Sequence, residues 1–186
     1  MKDPITGFEY PEDWVAKCTS PEQLRLVGEG LGILTSSGRV LRRGFTTGTT
    51  AAAAAKAAVL SRKTDVNSVS ITLPCGIVVK VPASGHAGHG SAVKFSGDYP
   101  ADVTAGLEFR AEASSQTGSI TVTFGDGIGR FSRDTPRYRK GTPAVSPTAL
   151  SSIVQSVQEA LDTLGEPGVS VRISVPLGIP IAQKTL

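Results

Sequence analysis

One stretch constrains this chain more than any other. From Ala51 to Ala58 every residue is alanine except Lys56, and Thr46-Thr47-Gly48-Thr49-Thr50 stands directly before it. Alanine is the best helix former and threonine caps well, so a helix starts near Thr49 and runs to about Leu60. With methyl groups for side chains, such a helix lets another backbone or a ligand approach closely.

The rest of the chain alternates between two periods. Residues 1–18 read as an irregular arm anchored by Phe8, Tyr10 and Trp14. Ser20-Pro21-Glu22-Gln23 opens a helix, with a serine cap, proline in the first turn and glutamine at the capping-box position. Gly28, Gly30 and Gly32 weaken it. From Val69 the period becomes two: Val69, Ile71 and Leu73, a turn at Pro74-Cys75-Gly76, then Ile77, Val79 and Val81, which predicts a hairpin. Ser84 to Gly90, rich in glycine and histidine, reads as a loop. Ala92–Ser96, Gly106–Ala113 and Ser119–Phe124 are further strand candidates. Ser146-Pro147 opens a helix whose stripe is Leu150, Ile153, Val154, Val157, Leu161 and Leu164, and Gly165 ends it. Val169 to Val175 gives a last strand. The order predicts an α+β fold, a mainly antiparallel sheet with helices packed on one face. Residues 1–40 form the arm and short helix, and residues 41–186 the core domain.

Length and composition suit a soluble globular domain: 186 residues, 39% of them hydrophobic. No apolar run reaches eighteen residues and the N-terminus carries no signal-peptide pattern, so the expected location is cytoplasmic, with no membrane partner. Cys18 and Cys75 are too few for a disulfide framework. The net charge is only +3, but its distribution is uneven. Arg39, Arg42 and Arg43 cluster before the threonine turn; Arg130, Arg133, Arg137, Arg139 and Lys140 cluster around a single acid, Asp134. Such clusters attract phosphates or carboxylates, or simply form solvated loops.

Two stretches are candidates for chemistry. Thr46, Thr47, Gly48, Thr49 and Thr50, at a helix start, offer backbone N–H groups, hydroxyls and the positive end of a helix dipole, with Arg42 and Arg43 adjacent. A plain threonine N-cap accounts for the same residues. No lysine follows in the Walker arrangement. In Gly125-Asp126-Gly127-Ile128-Gly129-Arg130, three alternate glycines follow a strand and permit close approach of a ligand. It is no dinucleotide fingerprint, because Pro136 and Pro143 break the chain where a helix should follow. Asp98 and Asp102 flank a turn; Asp98 is explained by turn chemistry, and an acid–base role remains open. His86 and His89 lack a third ligand, so no metal site is expected.

Together these stretches resemble one family. Leu41-Arg42-Arg43-Gly44-Phe45-Thr46-Thr47-Gly48-Thr49 before alanines is similar to the N-terminal signature of CbiD, the cobalt-precorrin-5B (C(1))-methyltransferases of anaerobic cobalamin biosynthesis. Matching segments follow in order: Gly97-Asp98 to Thr104, Gly125 to Arg130, Gly141-Thr142-Pro143-Ala144 with Ser146-Pro147, and Val175-Pro176 to Lys184-Thr185-Leu186. Many members of the family have cysteine where this chain has Thr50. The family also continues past Lys-Thr-Leu into a second α/β domain, so the resemblance implies that this chain is the first domain alone, inactive by itself. It further implies a fold like domain 2 of ribosomal protein S5, and methylation of carbon-1 of a cobalt tetrapyrrole by S-adenosylmethionine. Cobalt would enter only within the substrate, whose rim carboxylates suit arginine forks and helix N-termini. The substrate or co-substrate candidates are Arg42, Arg43, Thr46–Thr50, Asp102, Gly125, Asp126, Gly127, Gly129 and Arg130. A tetrapyrrole-binding module without catalysis and an RNA-binding α+β domain are the alternatives. RNA binding ranks last, because only Phe131 and Tyr138 offer stacking rings among the basic residues. No nucleic-acid partner is expected, and the sequence does not speak to oligomeric state.

Overall fold

The computed structural model describes residues 1–183, so the Lys184-Thr185-Leu186 end of the last motif lies outside the described residues. The chain divides into two compact units. The smaller comprises residues 1–45 and 95–102, the larger, among the described residues, 46–94 and 103–183. Sequence placed the division at residue 40. The backbone places it after Phe45, because the strand that begins at Val40 pairs within the smaller unit, and residues 95–102 pack with it.

The smaller unit holds two short helices, α1 (Glu12–Lys17) and α2 (Pro21–Gly28), and a two-stranded antiparallel ribbon of β1 (Gly32–Leu34) and β2 (Val40–Arg42). Its arm is thus helical over α1. Ser20 caps α2 by accepting from the Gln23 amide at 3.3 Å. Tyr10, Cys18, Val27, Leu34 and Val40 form its core, with Trp14 packed against them and Phe8 left exposed. So small a core has little apolar area to bury, and a polar anchor supplements it. Asp3 is 2% exposed, accepts two hydrogen bonds from the Arg43 guanidinium and a third from the Ile5 amide, and receives the Tyr10 hydroxyl at 3.3 Å. Burial alone would raise the Asp3 carboxyl, but Arg43 and the Ile5 amide outweigh it and hold it well below the usual carboxylate range.

The larger unit is α+β. In chain order it runs α3 (Thr47–Leu60), β3 (Val66–Thr72), β4 (Val78–His86), β5 (His89–Val93), β6 (Glu108–Ser115), β7 (Ile120–Phe124), α4 (Pro147–Leu164), β8 (Val169–Ser174) and α5 (Gly178–Gln183). One sheet has the order β3-β4-β5-β6-β8-β7, antiparallel throughout except at the β7–β8 edge. That edge is parallel because α4 carries the chain back across it. Burial alternates along β4, so one face of the sheet is covered and the other open.

The alanine helix lies on the covered face, with Ala52 to Ala55, Ala57 and Ala58 wholly buried. A helix apolar all round must be enclosed, and here glycine on the sheet meets alanine on the helix. A Cβ on Gly90 would lie 2.2 Å from the Ala54 carbonyl oxygen, and one on Gly85 would lie 2.6 Å from that of Ala57. The glycine–histidine segment is therefore not a loop. It is a hairpin in which His86 pairs with His89 through the two-residue turn Ala87-Gly88, both at positive φ. The expected strand Ala92–Ser96 ends at Val93.

Helix α4 starts at the Ser146 cap and stops at Gly165, in the left-handed region. Ile153, Val157, Ala160 and Leu161 are buried, but Leu150 and Val154 are exposed. The stripe is narrower than expected, because small Ser156 and Ala160 occupy the covered side and Val154 lies about 100° round from Ile153. Lys56, the one charged residue of α3, reaches Glu159 on α4. Burial would raise the Glu159 carboxyl, but Lys56, with Gln155 and Thr72, holds it below the ordinary glutamate range.

Candidate functional site

The N-termini of α3 and α4 meet. Thr46 caps α3, its hydroxyl accepting from the Thr49 amide at 3.0 Å, and the Thr50 hydroxyl returns to the Thr46 carbonyl at 3.0 Å. Ser146 caps α4 in the same way, accepting from the Ala149 amide at 3.2 Å. A Cβ on Gly48 would come within 2.9 Å of the Ala149 methyl, so glycine is what lets the two first turns touch. Caps satisfy only part of a helix start. The amides of Thr47, Gly48 and Thr148 have no acceptor among the described residues.

A cavity of about 470 Å³ opens beside these turns, lined by Thr47, Gly48, Ser146 and Ala149. Leu107, Phe109, Phe124, Ile153, Ile173 and Val175 supply apolar walls. Gly127, Ile128 and Gly129 close a further side, and their amides also lack acceptors among the described residues. Gly127 has φ +73°, and a Cβ there would overlap the Val175 carbonyl, so only glycine fits the turn. The turn is pinned by Gly125 N–H to Ile173 O, Val175 N–H to Asp126 O and Ala144 N–H to Gly129 O. No charged side chain lines the cavity among the described residues. The volume falls in the range of small-molecule pockets, apolar walls with a few convergent polar groups.

The sequence candidates are thus sorted by position. Thr47, Gly48, Gly127 and Gly129 share the cavity. Thr46, Thr49 and Thr50 serve the cap, and Thr49 and Thr50 are buried. Gly125, Asp126 and Arg130 line a second cavity of about 440 Å³, which shares Phe124, Gly127 and Ile128 with the first. The Arg130 guanidinium donates to the carbonyls of Gly141 and Phe124, each at 2.8 Å, and so staples its own loop. Arg42, Arg43 and Asp102 belong to the smaller unit. There Arg43 is committed to Asp3, and Arg42 pairs with Asp98 at 3.5 Å. In the basic loop, Phe131 and Tyr138 stack on each other with centroids 4.6 Å apart. His86 bonds Asp65 at 2.8 Å, and no group of three potential metal ligands occurs among the described residues.

Sequence reasoning missed the α4 start and Arg172 as parts of this region. The first carried a signal, since Ser146-Pro147 is a cap equivalent to Thr46. The second carried none, because a lone arginine alternating with Val171 and Ile173 reads as the solvated face of a strand.

Comparison with known proteins gives a consistent picture. A family model described as CbiD matches residues 34–186. The chain is 53% identical over 187 residues to the cobalt-precorrin-5B C(1)-methyltransferase of Methanospirillum hungatei, covering all of this chain and 56% of that protein. It is 54% identical, with the same coverage, to the protein of that name from Methanoculleus marisnigri. Its backbone matches the crystal structure of the cobalamin biosynthesis protein CbiD from Archaeoglobus fulgidus with a TM-score of 0.84 at 39% identity, over all of this chain and 60% of that one. The chain therefore spans about half the length of the curated relatives it matches.

Proposed function

The chain belongs to the CbiD family, and on that premise we propose that the protein at its relatives' full length methylates carbon-1 of cobalt-precorrin-5B in the cytoplasm, with S-adenosylmethionine as donor. In this reading a carbon of the conjugated macrocycle attacks the donor's methyl carbon, and the C–S bond breaks with its electron pair returning to sulfur. The sulfonium becomes a neutral thioether. Such a reaction asks the protein mainly to position two partners, and no side chain has to act as a nucleophile. Cobalt belongs to the substrate.

The share of the work assigned to this chain is seating the tetrapyrrole. One observation carries that reading: two helix N-termini with spare amides, joined by the Gly127–Gly129 turn, converge on one apolar cavity. A tetrapyrrole edge is an apolar ring bearing acetate and propionate groups. The apolar walls suit the ring, and a carboxylate at a helix N-terminus gains about 0.3–1 kcal/mol, up to roughly 2 when partly buried. The expected carboxylate partners thus shift from Arg43 and Arg130 to backbone amides.

The test is incorporation of label from S-[methyl-14C]adenosylmethionine into cobalt-precorrin-5B. It is run with this chain and with the protein at its relatives' length. Label at carbon-1 with the longer protein is expected; none with either rejects the proposal.

A further inference from the structure

The second cavity is lined by two opposite charges, Arg172 and Asp126, that form no ion pair among the described residues. Arg172 projects from β8 on the open face of the sheet and lines this cavity together with Asp126. Glu112 stands across from Arg172 on β6 and Thr123 on β7. Yet among the described residues the Arg172 guanidinium makes no hydrogen bond or ion pair, and neither does the Asp126 carboxylate. The Arg172 head is nevertheless placed, because it rests on Gly125. A Cβ at Gly125 would lie 2.7 Å from Arg172 Nε and 3.0 Å from Nη2. The other arginine of the cavity, Arg130, is occupied with Phe124 O and Gly141 O.

A free guanidinium and a free carboxylate lining one cavity without closing on each other match a ligand that carries both charges in reverse. An arginine fork takes a carboxylate in two parallel bonds, and an aspartate takes an ammonium. We propose that Arg172 and Asp126 bind an α-amino-acid zwitterion, Arg172 holding its carboxylate and Asp126 its ammonium. Resting on the methyltransferase reading above, this assigns the amino-acid end of the methyl donor to the second cavity. The cavities share Phe124, Gly127 and Ile128, so donor and tetrapyrrole edge lie side by side. Gly125 then has a definite role, leaving the room in which the guanidinium lies.

Titration calorimetry of the 186-residue chain with S-adenosylhomocysteine and with 5′-methylthioadenosine, which lacks the amino-acid end, tests the assignment. Wild type is expected to prefer S-adenosylhomocysteine. Arg172→Gln and Asp126→Asn should each remove about tenfold or more of that preference while leaving 5′-methylthioadenosine affinity unchanged. Gly125→Ala retains both charges but displaces the guanidinium, and should act in the same direction. Thermal melts confirm that the variants fold. Equal binding of the two nucleosides by wild type overturns the assignment. So does binding of neither, or retention of the preference in Arg172→Gln. Weakened binding of a polycarboxylate corrinoid by Arg172→Gln, with S-adenosylhomocysteine unaffected, would assign the arginine to the acceptor and also overturn it. Each of these failures leaves the methyl-transfer assay above to judge the activity on its own.

Discussion

Small residues dominate two regions of the larger unit, and they do opposite things there. Between α3 and the β4–β5 hairpin, Gly85 and Gly90 meet Ala54, Ala57 and Ala58 so closely that helix and sheet backbones touch. Around Gly48 and Gly125–Gly129, glycine faces a ligand-sized cavity. What separates the regions is what stands opposite. A rigid backbone faces the first set, so removing side chains there brings two layers together. Open space or the end of a long side chain faces part of the second, so removing side chains there keeps room for something else.

Substitutions at single glycines should expose that difference. Gly90→Ala is the most disruptive, since its methyl would meet the Ala54 carbonyl and the Ala58 amide, neither of which can give way. A loss of about 3 kcal/mol or more in chemical denaturation is expected, and wild-type stability would show that helix and sheet are not in contact there. Gly127→Ala forces a side chain onto positive φ and against Val175, but in a half-buried turn, whereas Gly90 is buried. A cost of about 1–3 kcal/mol is expected, accompanied by loss of corrinoid binding.

The packed region also has a pH signature. Glu159 is held below its ordinary range by Lys56. A carboxylate depressed in the folded state stabilises above its unfolded value, and that contribution is lost as pH falls through the folded value. Between pH 7 and pH 3 in urea melts, wild type should therefore lose roughly 1 kcal/mol more than Lys56→Met. The smallest stability effect belongs to Gly125→Ala, whose methyl meets only a flexible arginine head. Its melting temperature should stay within about 2 °C of wild type.

Much of this could be read in advance, and the exceptions have physical causes. The alanine helix, α4, the β3–β4 hairpin and the α+β class were legible because caps, periodicity and turn residues all agreed. The glycine–histidine hairpin was not, since period-two reading needs side chains and the inward positions there are glycine. Arg43 looked available from its neighbours in sequence, but Asp3, forty residues earlier, claims it. Arg130 belongs to a basic cluster, but its head serves two carbonyls. Local charge reports which groups exist; only the fold reports which are already spent.

In the proposed complex the joined N-termini of α3 and α4 receive a carboxylate of the tetrapyrrole, and Ala149→Glu probes that contact directly. Ala149 lines the cavity at the third position of α4, where glutamate completes a Ser-x-x-Glu capping box with Ser146 and suits the helix dipole. Stability should therefore hold or rise slightly, while a fixed negative charge occupies the place proposed for the ligand. Titration of a polycarboxylate corrinoid against wild type and Ala149→Glu should show binding by the first and at least tenfold weaker binding by the second, at unchanged melting temperature. Equal affinity in the two proteins would mean that the tetrapyrrole carboxylates are held elsewhere.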